Sequence, residues 1–329
     1  MSAPPPASAG AAAWPPTATL AALRRRAEAL RWTREFFRER KVLEVETPAL
    51  VNAAVSDVHL GSLRVAMPGR NAPLFLHTSP EYAMKRLLAA GSGDIFQVCH
   101  VYRGAERGRQ HNPEFTMLEW YRLGFTLENL MAEVAALVRG LLGAAVPVET
   151  LTYREAVERH AGFDPLAASD AQLRHAAQSL GLGADQAQSA GRDELLDLIV
   201  GAQVGPALGA GTLTFVHRYP ATQAALARLD RVDPRLALRF ELYHQGMELA
   251  NGYHELADVT EQRSRFDADQ NYRQARGLPV SPLDPHLLAA LEAGLPDCAG
   301  VALGFDRVLM LAMNAASIDD VLAFPVERA

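Results

Sequence analysis

The chain has 329 residues, a formal net charge of −6, 49% hydrophobic and 21% charged residues. This composition excludes a wholly disordered protein, because there is enough apolar surface to form a core. No apolar run approaches the roughly 18 residues of a membrane helix, and the first residues lack the features of a secretory signal. Cys99 and Cys298 are too few for a disulfide framework or a four-thiolate zinc site. We therefore expect a cytoplasmic protein with no membrane association.

Lysine occurs only at Lys41 and Lys85, so thirty of the 32 basic residues are arginine. Genomic base composition explains this bias most simply, although the arginine fork also binds phosphate and carboxylate bidentately. The net negative charge argues against nucleic-acid binding through bulk charge. The Arg24–Arg26 run is either a solvated helix face or a partner-binding patch.

The first third of the chain predicts a tail, two strands and two helices. Residues 1–18 are rich in Pro, Ala and Ser, which is typical of a flexible tail. Thr19 is a good N-cap for a helix with apolar residues three and four apart. Strands are predicted within 41–51 and over 74–76. Ser79, Pro80 and Glu81 then begin a helix that ends near residues 91–93.

The remainder alternates strands and helices, with a helical insertion expected at about 146–231 and no internal repeat. Further strands are predicted at 95–102, 115–121 and 236–256, helices at 126–142 and 258–276, and a strand leading into a helix at 301–313.

Residues 236–252 alternate apolar and polar side chains around a two-residue turn, Gln245–Gly246. The predicted register pairs His244 with Met247, Tyr243 with Glu248, and Glu241 with Ala250. Glu241 and Glu248 are then diagonal neighbours on one face, roughly 7–8 Å apart. Such a pair is either solvated or holds a divalent cation, and oxygen ligands suit Mg²⁺.

Two further stretches are candidates for chemistry. Cationic side chains crowd the loop between the strands at 95–102 and 115–121, namely Arg103, Arg107, Arg109 and His111. This loop either wraps a polyphosphate or is an ordinary charged hairpin loop. On the next strand Phe115, Met117, Glu119 and Tyr121 share a face, as in a pocket wall or a core stripe. In residues 300–307 small residues at alternate positions allow close approach to the strand. The Gly201, Gly205 and Gly209 spacing is not a nucleotide loop, since no strand precedes it.

Together these stretches resemble the catalytic core of class II aminoacyl-tRNA synthetases. Residues 36–48 resemble motif 1, residues 102–119 motif 2 and residues 300–307 motif 3. The His-Asn-Pro-Glu-Phe-Thr-Met run, the Glu248–Gly252 segment and Glu255 are most similar to lysyl-tRNA synthetases. The resemblance covers about residues 20–145 and 232–326. It implies an α+β fold, with a mixed, mostly antiparallel sheet flanked by helices, and a homodimer.

Motif 1 begins at Phe36, so we expect no anticodon-binding domain. The chain is then most similar to the truncated paralogues that ligate lysine, preferentially (R)-β-lysine, to a lysine of translation elongation factor P. Ser79 and Ala302 stand where lysine-type synthetases usually have Ala and Gly. A methyl group at Ala302 would discriminate between substrates by about 1–3 kcal/mol.

The resemblance implies ATP and Mg²⁺ as ligands and assigns residue roles. Arg103 and Arg307 would be catalytic, contacting the α- and γ-phosphates, and Phe115 would stack on adenine. The full ATP set is Arg103, Gly104, Ala105, His111, Asn112, Phe115, Glu248, Leu249, Gly304 and Arg307. The amino-acid set is Ser79, Pro80, Glu81, Glu119, Tyr121, Asn251, Glu255 and Ala302. Glu241 and Glu248 would hold the metal.

Two positions depart from the family pattern. Position 105 is Ala where the family has the Glu that lies near adenine, and the acid follows at Glu106. Lys41 replaces the usual motif 1 glycine.

Three functions stay open on the sequence. The first is ATP-dependent activation of (R)-β-lysine or lysine as an adenylate, with transfer to elongation factor P and no stable tRNA binding. The second is a stand-alone lysine-activating ligase with a tRNA or small-molecule acceptor. The third is a catalytically silent regulatory paralogue. Arg24–Arg26 and the 218–239 region are candidate acceptor-docking surfaces, and scattered surface arginine is the alternative.

Overall fold

A computed structural model describes residues 14–58, 60–104 and 106–329. Within these ranges the α-helices, in chain order, are α1 Leu20–Glu39, α2 Glu81–Ala89, α3 Leu127–Leu142, α4 Tyr153–Ala161, α5 Asp170–Ser179, α6 Ala184–Ser189, α7 Arg192–Ile199, α8 Val259–Ala275, α9 Pro285–Gly294 and α10 Phe305–Ala312. The strands are β1 Leu43–Glu44, β2 Leu50–Val51, β3 Arg64–Val65, β4 Leu74–Leu76, β5 Ile95–Tyr102, β6 Glu114–Leu123, β7 Val148–Thr152, β8 Leu213–Pro220, β9 Leu236–His244, β10 Met247–His254 and β11 Cys298–Gly304. None of these helices has the length and apolar character needed to span a membrane.

In the described part of the chain, the strands form one large and one small sheet. The large sheet has the order β1-β5-β6-β11-β10-β9-β8-β7, and β2-β4-β3 form the small one. Most neighbours in the large sheet are antiparallel, whereas β1 with β5 and β7 with β8 are parallel. The predicted α+β class with a mixed, mostly antiparallel sheet is confirmed.

One face of the large sheet carries the main core. α1, α3 and α10 pack on it, and their apolar residues form one cluster with Phe96, Trp120 and Phe240. The rings of Phe37 and Phe96 stack with centroids 4.4 Å apart. Each fully buried side chain of this size contributes about 1.5–3 kcal/mol. Because side chains alternate along a strand, the residues flanking Trp120 on β6 point to the opposite face.

Local capping explains where the long helices begin and end. The Thr19 hydroxyl accepts from the amide of Ala22, as predicted for the start of α1. α3 begins with a capping box between Thr126 and Asn129 and ends at Gly143, whose φ of 67° is left-handed. These helices are therefore defined by local sequence.

The region predicted to be a helical insertion is only partly helical. It contains α4 to α7, but β7 and β8 within it extend the large sheet. β8 is drawn into the sheet because Phe215 and Leu213 are buried in the core. The strand predicted within 41–51 is likewise divided, with β1 in the large sheet and β2 in the small one. The helix α9 was not predicted.

Most of the predicted flexible tail, residues 1–13, lies outside the described residues. At its end Thr17 and Ala18 are held by the C-terminal segment: their amides donate to the carbonyl oxygens of Ala323 and Leu322 at 2.9 and 3.2 Å. Ala18 is buried. Thr17 and Ala18, placed in the tail by the sequence, therefore pack against the C-terminal segment.

Candidate active site

A cavity of about 880 Å³ lies over the face of the large sheet opposite α3. Most of the residues expected to bind ATP, metal or amino acid line it: Ser79, Glu81, Arg103, His111, Asn112, Phe115, Glu119, Tyr121, Glu241, Glu248, Leu249, Asn251, Glu255, Ala302, Gly304 and Arg307. Pro80 and Gly104 do not line it, and Ala105 lies outside the described residues. Four separate stretches of sequence are thus brought to one cavity.

Strand register explains how distant residues meet on the cavity floor. Glu119 on β6 is opposite Ala302 on β11, which is opposite Asn251 on β10, which is opposite Glu241 on β9. Directly paired residues share a face, and neighbouring strands are about 4.8 Å apart. A second row, two residues along each strand, contains Tyr121, Gly300, Tyr253 and Arg239.

The β9–β10 hairpin confirms the predicted turn and corrects the register. Gln245 and Gly246 have φ values of 51° and 70°, as a tight two-residue turn requires. His244 pairs with Met247 and Tyr243 with Glu248, as expected, but a β-bulge follows Glu248. The prediction that Glu241 faces Ala250 is therefore wrong, and its partner is Asn251. The extra residue of the bulge turns Asn251 onto the cavity face.

Glu119 is the central acid at one end of the cavity. One of its oxygens accepts from the Ser79 hydroxyl and the other from the Tyr121 hydroxyl, each at 2.7 Å. The same Ser79 oxygen accepts from the amide of Glu81 at 3.0 Å, which begins α2. Burial and the nearby Glu81 charge raise the pKa of Glu119 to about 8. The carboxyl group is poised to ionise when a cation arrives.

Glu255 lies beside Glu119 and pairs with a residue that the sequence interpretation missed. Its Oε2 is 2.6 Å from the ammonium of Lys85, which is 1% exposed and also 2.7 Å from Glu81. Lys85 follows Glu81 by four residues, so both lie on one helix face; that spacing was the available signal. Burial, partly offset by Lys85, raises the pKa of Glu255 to about 7. A Cβ atom on Gly300 would lie 2.7 Å from Glu255, so the floor needs glycine there.

Arginines mark the other end of the cavity. Nε of Arg103 is buried and has no hydrogen-bond partner among the described residues, and its guanidinium lies 5.1 Å from the Phe115 ring centroid. Arg307 donates to the carbonyl oxygen of Glu248 at 2.8 Å and lies 2.6 Å from Nε2 of His111. Burial and the Arg307 charge lower the pKa of His111. The arrangement presents cationic groups to an anionic ligand.

The cationic loop before β6 only partly faces the cavity. Arg107 pairs with Asp319 and Glu327 at 2.9 and 2.6 Å, and thereby anchors the C-terminal segment. Asn112 donates to the carbonyl of Glu114 at 2.6 Å and accepts from the amide of Val326. The polyphosphate interpretation of this loop therefore applies to Arg103 and His111. Glu106 lines the cavity, 3.8 Å from Arg103.

Glu241 and Glu248 form the candidate metal pair. Glu241 is buried and Glu248 is half-buried, and Glu241 accepts from the Tyr243 hydroxyl at 2.5 Å and from Arg239. Burial and the Glu241 charge raise the pKa of Glu248 to about 6. The described residues contain no group of three or more His, Cys, Asp or Glu that could hold an ion. Two carboxylates fit Mg²⁺, which takes its other ligands from phosphates and water.

Parts of the candidate acceptor-docking surfaces are engaged inside the protein. Arg239 lines the cavity and bonds Glu241. Arg25 donates to the carbonyl of Leu141, and Arg26 donates to Asp306 and Thr116. Of the Arg24–Arg26 run, Arg24 is exposed. These arginines hold the fold together, so the run does not form a continuous docking patch.

Comparison with known proteins agrees with this geometry. Residues 16–328 match the family of tRNA synthetases class II (D, K and N). Elongation factor P–(R)-β-lysine ligase of Klebsiella pneumoniae is 51% identical over 97% of this chain and 99% of its own length. The proteins of the same name from Erwinia tasmaniensis and Salmonella dublin are each 50% identical, over 96–97% of this chain and 98–99% of their own lengths. The chain belongs to the class II tRNA synthetase family of the D, K and N type.

Proposed function

We propose that this protein is a ligase that activates (R)-β-lysine or lysine with ATP and transfers it to a lysine side chain of translation elongation factor P. The observation that carries the proposal is the polarity of the cavity. All five residues line it: Arg103 and Arg307 lie together beside His111 at one end, and Glu81 and Glu255 lie beside Glu119 at the other. A diamino acid and a polyphosphate match these two ends in charge. The names of the similar proteins supply the acceptor.

The reaction has two steps. The carboxylate oxygen of the amino acid attacks the α-phosphorus of ATP, the bond to the β-phosphate oxygen breaks, and an aminoacyl-adenylate and pyrophosphate result. The neutral amine of the acceptor lysine then attacks the carbonyl carbon, the bond to AMP breaks, and the amine loses a proton. No covalent enzyme intermediate is needed. Catalysis rests on positioning and on charge stabilisation at the phosphates.

In this scheme one end of the cavity binds the phosphates of ATP and the other binds the ammonium groups of the amino acid. Arg103, whose Nε has no protein acceptor among the described residues, would donate to the α-phosphate. Arg307, oriented by Glu248 and His111, would neutralise the outer phosphates. Glu119 and Glu255 would hold the substrate ammonium groups. When bound, Mg²⁺ held by Glu241 and Glu248 would offset the negative charge of the phosphates.

A homodimer and a cytoplasmic location complete the proposal. β1 is an edge strand of the large sheet, and Leu43 on it is 55% exposed. Nearby, Leu30, Trp32 and the stems of Arg31 and Arg34 line a shallow surface pocket on α1. An edge strand with an exposed leucine beside a partly apolar helix face is suited to pairing with a second copy. Light scattering of wild type and Leu43→Glu tests this, with a dimer expected only for wild type.

Mass spectrometry of elongation factor P tests the function directly. The acceptor is incubated with this protein, ATP and each lysine isomer, and a parallel reaction offers tRNA. Modification of the protein acceptor at one lysine is expected, with little label on tRNA. Transfer to tRNA instead would favour a ligase whose acceptor is tRNA. Absence of substrate-dependent pyrophosphate exchange would favour a catalytically silent paralogue.

A further inference from the structure

The amino-acid end of the cavity contains a positive charge that the reaction scheme does not use. The ammonium of Lys85 lies 2.7 Å from Glu81 and 2.6 Å from Glu255. Burial by itself disfavours the ammonium, but the Glu255 and Glu81 carboxylates outweigh this and raise its pKa above the ordinary value. The two carboxylates therefore hold Lys85 as an ammonium in an almost fully buried position.

The ammonium of Lys85 changes the net charge of the amino-acid end of the cavity. Lys85 faces Glu81, Glu255, Tyr82 and Cys298. Glu119 and Tyr121 in turn face Glu81 and Glu255. Burial raises the pKa of both tyrosines and of the thiol, so these three stay neutral. Arg239, in the same row as Tyr121, is paired with Glu241, so three carboxylates and one ammonium leave two negative charges here when all four are ionised. The carboxylate of a lysine isomer reacts at the phosphate end in the proposed scheme, so its two ammonium groups would balance these two charges, and a single ammonium group would not.

The residue type supports a purpose beyond helix stability. Thirty of 32 basic residues are arginine, yet this buried position is lysine. A compact ammonium fits between two carboxylates that a planar guanidinium would force apart. A Glu–Lys pair four residues apart on an exposed helix contributes only about 0.2–0.5 kcal/mol. Here the pair is buried and is shared with Glu255, which follows β10 and is distant in sequence.

We propose that Lys85 is an internal counter-ion that sets the amino-acid subsite at two negative charges and so selects substrates with two ammonium groups. The inference rests on the proposed lysine activation and adds the residue that decides how many ammonium groups are accepted. Lys85 contacts Glu81 and Glu255, so it is a positioning residue that acts through them. A surplus or deficit of one buried charge is costly.

A charge-restoring pair of variants tests this. Glu255→Gln leaves one negative charge, and its kcat/KM for lysine isomers in pyrophosphate exchange is expected to fall roughly 100-fold or more. The double variant Lys85→Met/Glu255→Gln returns the subsite to two negative charges. We expect it to recover at least about tenfold over Glu255→Gln, since one charge mismatch is removed. A merely structural Lys85 predicts a double variant no better than the single one.

Norleucine is the control substrate, because its carbon chain has the same length as that of lysine but it carries only one ammonium group. Wild type and the double variant each leave two negative charges, so both are expected to prefer lysine over norleucine. Circular dichroism and melting curves establish that each variant is folded, and the double variant removes both members of a buried pair. If the double variant is folded but its kcat/KM does not exceed that of Glu255→Gln, while wild type is active, the role of Lys85 is overturned and the proposed function is not. Wild type without exchange for any lysine isomer overturns this role and the proposed function together.

Discussion

Nη2 of Arg307 lies 2.6 Å from Nε2 of His111 and joins the first turn of α10 to the loop before β6. Arg307 has no acceptor capacity, so the imidazole must accept at Nε2 and be neutral. Burial and the Arg307 charge lower the pKa of His111 and keep it in this form. The bond orients the guanidinium toward the cavity, where the outer phosphates of ATP are proposed to lie.

Loss of Arg307 tests the phosphate end. We expect Arg307→Ala to reduce lysine-dependent pyrophosphate exchange by about 10²–10³, because it removes a preorganised donor at developing charge. Arg24→Ala, on the exposed face of α1, is the control and should retain wild-type exchange. Near-normal exchange in Arg307→Ala would refute the assigned site.

The metal pair makes a separate prediction. In Glu248→Gln we expect pyrophosphate exchange to be lost at ordinary Mg²⁺ concentration, since one of two anionic ligands is gone. Titration of MgCl₂ from micromolar to millimolar measures the requirement. Glu158→Gln, in an exposed helix pair with Arg154, should follow the wild-type curve. A Glu248→Gln curve that overlies wild type would argue against metal binding there.

Ala302 is expected to influence the choice between lysine isomers. It lies between Glu119 and Asn251 on the cavity floor, so its methyl group would meet an amino acid bound there. Ala302→Gly should shift the ratio of kcat/KM values toward α-lysine over (R)-β-lysine by about tenfold or more, the range for one methyl group. Exchange assays with each isomer measure the ratio. An unchanged ratio would mean that the methyl group does not discriminate.

Gly300 and Gly140 allow a matched comparison of packing inside and outside the site. A Cβ on Gly300 would lie 2.3 Å from Tyr121, and one on Gly140 would lie 2.0 Å from Trp32. Both alanine variants should lose about 1–3 kcal/mol of unfolding free energy through overpacking. Only Gly300→Ala should also raise the KM for lysine, since Tyr121 and Glu255 must move. Equal KM effects in the two variants would contradict a local role for Gly300.

Stability should report the raised pKa of Glu119. Because burial raises this pKa from 4.5 to about 8, the folded protein keeps a proton that the unfolded chain loses. This contribution is complete below pH 4.5 and is lost as the pH rises toward 8, by up to about 1.4 kcal/mol per pH unit. Urea unfolding at a series of pH values gives the unfolding free energy of wild type and of Glu119→Gln, and the difference between the two isolates the contribution of Glu119.

That subtraction is needed because several histidines with lowered pKa values act in the opposite direction: His77, His111, His217 and His254. Saturating lysine should weaken the pH dependence of the difference in unfolding free energy between wild type and Glu119→Gln, because its ammonium groups favour the ionised carboxylate. A difference that does not vary with pH in the absence of lysine would contradict the raised pKa of Glu119.

Local sequence determined much of the fold, and the resemblance to class II synthetases named most of the residues that line the cavity. The caps at Thr19 and Thr126, the turn at Gln245–Gly246 and the bounds of β5 follow from short-range chemistry. β7 and β8 were missed although both are rich in β-branched or aromatic residues, because they lie among Ala-rich helical segments. Their strand partners are set only when the sheet assembles.

Tertiary structure alone decided which side chains meet. The bulge after Glu248 exchanged Ala250 for Asn251 opposite Glu241, and a register shift leaves no periodic signal in the sequence. Tertiary packing also placed Lys85 between Glu81 and Glu255. Residues four apart on a helix can be paired from sequence, but a contact across 170 positions depends on packing. Sequence named the chemical groups, and the folded sheet and helices set their charge balance.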